Sequence, residues 1–194
     1  ALFVRQQGLT NKSIIRVETG AGELTLTVNE QDNVVVNMGQ PIFLPAKIPL
    51  VSEHEQPLYN ATIDDQEVSF SALSMGNPHA VIQVTNAETG YINRVGKALE
   101  SHALFPERAN IGFSEVIGQS SLKLRVYERG ARETQACGSG ACAAVVAAIE
   151  LGEVTSPVDV TLLGGHLTVS WEGRGSPVMM SGPATFVFDG MIEL

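Results

Sequence analysis

Alternating apolar and polar residues run through most of this chain and predict that it is built mainly of β-strands. Residues 122–127 show the pattern clearly, since leucine, leucine and valine alternate with lysine, arginine and tyrosine. Gly164-Gly165 separates two further strand segments, and paired glycines tolerate the backbone of a tight hairpin turn. The predicted strands are residues 13–19, 23–28, 33–38, 67–72, 80–84, 122–127, 158–163, 167–171 and 185–188.

Two segments have the spacing of a helix instead. Residues 89–101 place apolar residues on one face and leave Lys97 and Glu100 on the outside. Residues 139–151 are small and apolar on every side, which is typical of a buried helix, and Gly152 follows as a C-terminal cap. Because predicted strands precede and follow this buried helix, the pattern indicates an α+β fold in which a sheet wraps around one central helix.

Composition and charge restrict the functional class. The chain has 194 residues, a net charge of −9 and scattered basic residues, so it would gain nothing from counterion release on nucleic acid. Its longest apolar run, residues 141–149, is too short to span a bilayer, and no signal peptide is visible. Two cysteines are too few for a disulfide framework. We therefore expect a reduced, cytoplasmic protein with no nucleic-acid or membrane partner.

Cys137 precedes Gly-Ser-Gly at the predicted start of the buried helix. Unpaired N–H groups and the helix dipole favour a thiolate there and can lower the pKa of the Cys137 thiol. The same N–H groups can bind a carboxylate. A cysteine that only packs in the core is the common alternative, but glycines are costly inside helices. Cys142 is predicted to be such a core residue. The scattered histidines predict no metal site.

Three further polar segments lie next to predicted strands. Glu128 and Arg129 end the strand at residues 122–127, where they could face the ammonium and carboxylate groups of an amino acid. Asn77 and His79 belong to a Gly-Asn-Pro-His turn, and His79 could tune a nearby thiol. An asparagine, Asn110, also enters an apolar strand. Taken alone, a solvated ion pair and an ordinary turn are the simpler interpretations.

Together these motifs resemble diaminopimelate epimerase. The Gly-Asn-Pro-His turn, the Ala-Asn-Ile-Gly-Phe strand and Glu-Arg-Gly-x-x-Glu-Thr-Gln-Ala-Cys-Gly-Ser-Gly-Ala-Cys at residues 128–142 occur in the order of that family and at about its spacing. The resemblance covers the whole chain. It implies two pseudo-symmetric domains, each a mixed β-sheet curled around a central helix, and a homodimer. It also implies an isomerase without cofactor or metal, which interconverts LL- and meso-diaminopimelate with two opposed cysteines.

The resemblance also implies a role for individual residues. Cys137 would be the catalytic cysteine of the C-terminal domain, and His79 and Glu128 would adjust the pKa values of the thiols. The substrate-binding residues would be Asn77, Asn110, Glu128, Arg129, Gly138 and Ser139. The N–H groups of the last two would bind the α-carboxylate, while the asparagine of the 108–113 strand and the Glu-Arg pair would bind the distal amino-acid end.

The chain departs from the family pattern in two places. It has no Gly-Asn-Gly-x-x-Cys motif, which carries the first catalytic cysteine of the family. We therefore expect a truncated form without epimerase activity of its own, in which residues 1–37 and 183–194 are the remnant of the N-terminal domain and residues 38–182 form the C-terminal domain. Arg132 stands where the family has glycine. That arginine would be strained if the turn needs a positive φ, and it would favour a thiolate if it lay near Cys137.

Three other functions remain open at this point. Proline racemases share the implied fold and the two-thiol chemistry, although the Glu128-Arg129 pair favours diaminopimelate. A nucleophilic cysteine enzyme would need a histidine paired with Cys137. A binding module would keep the ligand contacts without turnover.

Overall fold

The computed structural model describes residues 1–19, 22–29, 33–86 and 92–192. Its helices are α1 (Leu2–Gln6), α2 (Ile92–Glu100) and α3 (Gly138–Glu150), and Pro45–Lys47 forms one 3₁₀ turn. The strands are β1 (Ile14–Thr19), β2 (Gly22–Val28), β3 (Val34–Asn37), β4 (Tyr59–Ile63), β5 (Gln66–Ser74), β6 (Pro78–Gln83), β7 (Asn110–Gly118), β8 (Ser121–Glu128), β9 (Arg132–Thr134), β10 (Val158–Leu162), β11 (Gly165–Ser170) and β12 (Met179–Gly182).

The strands form one continuous mixed sheet. Their order is β1-β2-β3-β12-β11-β10-β8-β7-β6-β5-β4, and β9 pairs with β8 outside this path. The pairs β6–β7 and β8–β10 are parallel, and the other pairs are antiparallel. β6, β7 and β8 are neighbours, so the segments that begin or end these strands lie close together in space.

Helix α3 lies at the centre of the larger core, as its uniform apolar character predicted. It contacts strands β5 to β8 and β10 to β12, and the consecutive residues from Gly140 to Ala148 are buried. Alanine and glycine dominate the helix, which lets sheet strands approach it closely on all sides. Gly152 follows the C-cap residue Leu151 and has φ +72°, as expected for a glycine that ends a helix. The predicted α+β architecture around one central helix is confirmed.

Helix α2 packs on the opposite face of the sheet, against β7 and β8. It begins at Ile92 in the described part of the chain, and residues 89–91 of the predicted helix lie outside the described residues. Glu100 was predicted to lie on the outside of this helix. That prediction is wrong, because Glu100 is only 8% exposed and accepts a hydrogen bond from the backbone of the β8–β9 turn.

The prediction of a strand at residues 185–188 is also wrong, because the structure has no strand there. The strand that lies between β3 and β11 is β12, and the chain leaves the sheet after Pro183, whose nitrogen has no hydrogen to donate. β4, β9 and β12 were not predicted. The hairpin β10–β11 was predicted, but its turn residues are Leu163 and Gly164, one position earlier than expected.

None of the helices in the described ranges is long and apolar enough to cross a membrane. The predicted division of the chain at residues 37/38 and 182/183 stays a prediction, and residues 193–194 of its closing segment lie outside the described residues.

Candidate active site

Cys137 is the N-cap residue of α3, with an extended backbone before the first helical residue. Two glycines make room for its surroundings. A Cβ on Gly140 would lie 3.2 Å from Cys137 Sγ, and one on Gly138 would lie 3.1 Å from the sulfur of Met180. The Gly-Ser-Gly sequence therefore places the thiol at a helix N-terminus in a space that larger residues would fill.

The pKa of the Cys137 thiol is raised above its ordinary value, which is opposite to the direction that the helix start alone indicated. Burial is the largest cause, because only 7% of the residue is exposed. The Ser139 hydroxyl and the Gly140 N–H lower the pKa, while the Glu128 carboxylate raises it by its charge and by accepting the thiol proton. The resting group is therefore a thiol, which donates a hydrogen bond to the Glu128 carboxylate.

A chain of polar side chains connects the Gly-Asn-Pro-His turn to this sulfur. His79 Nε2 lies 3.0 Å from Asn77 Oδ1, Asn77 Nδ2 lies 3.3 Å from Ser139 Oγ, and Ser139 Oγ lies 3.6 Å from Cys137 Sγ. An amide nitrogen can only donate, so Asn77 leaves the hydroxyl proton of Ser139 available for the sulfur. The residues predicted to bind substrate and to tune the thiol are thus brought together.

The imidazole ring of His79, the first member of this series of hydrogen-bonded side chains, is neutral. Only 1% of the residue is exposed, and burial, followed by the positive charge of Arg129, lowers the pKa of His79 to about 3. A neutral imidazole carries one proton, and the acceptor Asn77 Oδ1 places it on Nε2. His79 therefore acts on Cys137 through Asn77 and Ser139 rather than as a direct partner of the sulfur.

Asn110, Glu128 and Arg129 lie at the adjacent ends of β7 and β8. Asn110 donates to the Pro78 carbonyl at 3.2 Å and accepts from the backbone N–H of Arg129 at 3.0 Å. The Arg129 side chain is exposed, and its Nη1 donates to the carbonyl of Glu107 at 3.1 Å. Asn110 thus holds the backbone of Arg129 in place, while the exposed guanidinium of Arg129 has further N–H donors for a ligand.

Glu128 is held by a residue that sequence reasoning missed. Thr134 of β9 donates its hydroxyl to Glu128 Oε1 in a short hydrogen bond. The β8–β9 pairing brings the threonine back beside the carboxylate, since Glu128 faces Arg132 in the register. Thr134 lies six residues after Glu128 in the sequence. A tight turn predicted between them would have indicated that the two side chains come close together.

Arg132 has a backbone φ of +65°, so the strain expected for this position is present. The cation does not lie against Cys137. It lines a cavity of about 200 Å³ on the α2 side of the sheet, together with Lys97, Glu100 and Arg108. The charge that acts on Cys137 is that of Glu128. The structure therefore supports backbone strain as the consequence of Arg132.

Replacing Arg132 with glycine should stabilise the chain by about 0.5–1 kcal/mol. A left-handed backbone costs a residue with a Cβ roughly 1–2 kcal/mol, and glycine avoids this cost. Part of the gain in stability is offset because glycine makes the unfolded chain more flexible. Urea unfolding measures the difference. Arg132→Ala removes the same charge but keeps the Cβ, so it should give no gain. Equal stabilisation by both substitutions would contradict the strain.

Cys142 lies inside α3, as predicted, and is fully buried. Burial, followed by the nearby Cys137, raises the pKa of Cys142 to about 12. Within the described ranges, no group of three or more histidine, cysteine, aspartate or glutamate side chains is arranged to hold a metal ion. Cys137 is thus the cysteine whose position allows acid–base chemistry.

Several solved structures have a fold similar to that of this chain. The hydroxyproline epimerase from Agrobacterium vitis, solved with bound trans-4-hydroxy-L-proline, superposes with a TM-score of 0.68 at 16% identity, over 94% of this chain and 60% of that one. The phenazine biosynthesis protein of the PhzF family from Bacillus anthracis superposes with a TM-score of 0.61 at 17% identity. The match covers 98% of this chain and 73% of that protein. At such identities these similarities establish the fold.

Sequence similarity is closer to one family. The family model described as diaminopimelate epimerase matches residues 71–187, which include every candidate site residue named above. The diaminopimelate epimerase of Teredinibacter turnerae is 52% identical over all 194 residues, and the chain covers 70% of its length. Together with the thiol at the start of α3 and the polar groups around it, this similarity shows that the chain belongs to the diaminopimelate epimerase family of isomerases.

Proposed function

We propose that this chain moves the α-proton of LL- and meso-diaminopimelate, with the Cys137 thiol as the acid–base group on one face of the α-carbon. The observation that carries the proposal is the placement of Sγ at the N-terminus of α3, beside Ser139 and Glu128. The first turn of such a helix offers unpaired N–H groups and a partial positive charge to a carboxylate. An α-carboxylate bound there would bring its α-carbon close to the sulfur.

The proposed reaction consists of proton transfers between Cys137, the substrate and solvent. Cys137 gives its thiol proton to solvent, and the resulting thiolate removes the α-proton of the substrate and becomes a thiol again. The electron pair of the broken C–H bond passes into the substrate carboxylate, where the N–H groups of Gly138 and Ser139 stabilise the added negative charge. The thiol exchanges its proton with solvent and then returns a proton to the carbon, which regenerates the thiolate. This scheme uses no cofactor.

The distal amino-acid end distinguishes diaminopimelate from smaller amino acids. We assign its binding to Asn110, Glu128 and Arg129, with Asn77 completing the substrate site near Cys137. The guanidinium of Arg129 suits a carboxylate, and the Glu128 carboxylate suits an ammonium group. The backbone hydrogen bond from Arg129 to Asn110 keeps these groups together at the ends of β7 and β8. A proline-type racemase has no use for such a second charged pair.

A nucleophilic cysteine enzyme fits the site less well. Such an enzyme pairs its thiol with a histidine that takes up the proton. In this structure the ring of His79 bonds to Asn77, and both Asn77 and Ser139 lie between that ring and Cys137. The neutral, buried state of His79 also makes it a poor proton acceptor.

Inversion of a stereocentre needs a second acid–base group on the opposite face of the α-carbon. The second cysteine of the sequence, Cys142, lies inside α3 with its thiol fully buried and its pKa raised to about 12. It cannot face Cys137 across a substrate. We therefore propose that Cys137 acts alone in this chain and delivers a solvent-derived proton to the face from which the α-proton was taken.

The proposal is tested by incubating the chain with LL- and meso-diaminopimelate in deuterium oxide and following the α-protons by NMR. We expect slow deuteration of one stereocentre with retention of configuration, and no net epimerisation. Proline serves as the comparison substrate and should exchange more slowly, because it lacks the distal groups. Rapid inversion would show a second acid–base group in this chain, and the absence of any exchange would contradict the proposed role of Cys137.

The location and the oligomeric state of the protein are also proposals. We propose a cytoplasmic location, because a reducing compartment keeps both free cysteines from oxidation. We also propose that the protein works as a homodimer, which light scattering after size-exclusion chromatography would measure directly.

A further inference from the structure

Glu100 is a buried carboxylate outside the residues assigned to the reaction. It is the last residue of α2, where the helix dipole disfavours a negative charge, and it is only 8% exposed. Its Oε1 accepts the backbone N–H of Gly130 at 2.9 Å and lies 3.6 Å from Nη1 of Arg108. A charge kept in such a place needs these partners, and both lie in segments that flank the substrate site.

The partners of Glu100 lie on both sides of the distal binding site. Gly130 directly follows Arg129 at the end of β8, and the Glu100 carbonyl accepts the backbone N–H of Ala109, the residue before Asn110. Arg129 and Asn110 are themselves joined by a hydrogen bond. One residue of α2 thus fixes the backbone next to both groups that are assigned to the distal end of the substrate.

Close packing between α2 and β8 fixes the position of the helix along the strand. Gly96, one helical turn before Glu100, lies so close to β8 that a Cβ there would stand 2.7 Å from the Cβ and Cγ of Tyr127. Tyr127 is two residues before Arg129. Helix α2 is therefore seated on the end of β8 at two points, Gly96 against Tyr127 and Glu100 against Gly130, so it cannot slide without breaking both contacts.

We propose that Glu100 is a positioning residue that holds the Arg129–Gly130 turn in place for the distal carboxylate of the substrate. It touches neither the substrate nor Cys137, and acts through the backbone of Gly130. Without this acceptor the Gly130 N–H would bond to water, and the side chain of Arg129 would no longer be held in one orientation toward the distal carboxylate. The effect should fall on substrate affinity and leave the thiol unchanged. The inference rests on the proposed function, since the distal carboxylate is that of diaminopimelate.

The test compares Glu100→Ala, Glu100→Gln and the control Lys97→Ala, a substitution on the exposed face of the same helix. Calorimetry measures the dissociation constant of meso-diaminopimelate, alkylation by iodoacetamide measures the reactivity of Cys137, and NMR measures hydrogen exchange at the Gly130 amide. We expect Glu100→Ala to weaken binding about tenfold and to expose the Gly130 amide, with alkylation of Cys137 unchanged. Glu100→Gln keeps an acceptor oxygen and should restore most of the binding, and Lys97→Ala should change nothing.

Unchanged binding in Glu100→Ala, or an equal loss of binding and Cys137 reactivity, would overturn the positioning role. The second result would indicate a general loss of structure instead. If the unsubstituted chain does not bind meso-diaminopimelate, the proposed function fails, and the Gly130 amide then decides the positioning role. If the Gly130 amide stays protected from hydrogen exchange in Glu100→Gln and loses its protection in Glu100→Ala, the positioning role is supported. Equal protection of this amide in both variants would overturn that role.

Discussion

Replacing Cys137 with alanine should lower the rate of α-proton exchange in diaminopimelate by about 10³-fold. A positioned acid–base group contributes about 10²–10⁴-fold, and the N–H groups at the start of α3 have no proton to exchange with carbon. The measurement is the loss of the α-proton signal in deuterium oxide, followed by NMR. Binding of the substrate should be largely retained, because its carboxylate contacts do not involve the sulfur.

The matched control for this substitution is Cys142→Ala. It removes the other thiol of the same helix, five residues further along, from a fully buried position. Loss of one buried sulfur should reduce stability slightly and leave the exchange rate within about threefold. Exchange that survives Cys137→Ala, or that is lost in Cys142→Ala at a temperature where the variant is folded, would contradict the assignment of the base.

The sequence was sufficient to predict the features of the site that depend on neighbouring residues. The uniform apolar pattern predicted α3, and the Gly-Ser-Gly segment placed Cys137 at its start. Gly152 marked the end of the helix. Each of these signals lies within a few residues of the feature that it predicts, because capping and helix burial are local properties.

Features that depend on distant residues were missed or predicted in the wrong direction. Glu100 has the helical position of a solvated charge, and its partner Gly130 lies 30 residues away in the sequence. The helix start favours a low pKa for Cys137, but burial and Glu128, which the sheet supplies, act in the opposite direction. β12 has little alternation and forms because β3 and β11 flank it. Tertiary neighbours decided all three cases.

Alkylation of Cys137 by iodoacetamide should report the opposing effects of Ser139 and Glu128 on the thiol. The thiolate is the reactive form, so the rate follows the pKa of Cys137. Because burial first, and then Glu128, raise that pKa, the rate should still be increasing at pH 9. Ser139→Ala removes a donor to the thiolate and should slow alkylation about tenfold at pH 8, whereas Glu128→Gln removes a negative charge and should accelerate it. Ser139→Thr keeps the hydroxyl and serves as the control.

The same measurement decides whether Asn77 acts through Ser139. If the Asn77 amide directs the Ser139 hydroxyl toward the sulfur, Asn77→Ala should slow alkylation in the otherwise unchanged chain and have little further effect once Ser139 is alanine. Mass spectrometry of the Cys137 peptide separates its alkylation from that of Cys142, and circular dichroism confirms the fold of each variant. Additive effects of the two substitutions would mean that Asn77 acts on the thiol directly. Non-additive effects would show that Asn77, which is hydrogen-bonded to the buried, neutral ring of His79, acts on the thiol through the Ser139 hydroxyl.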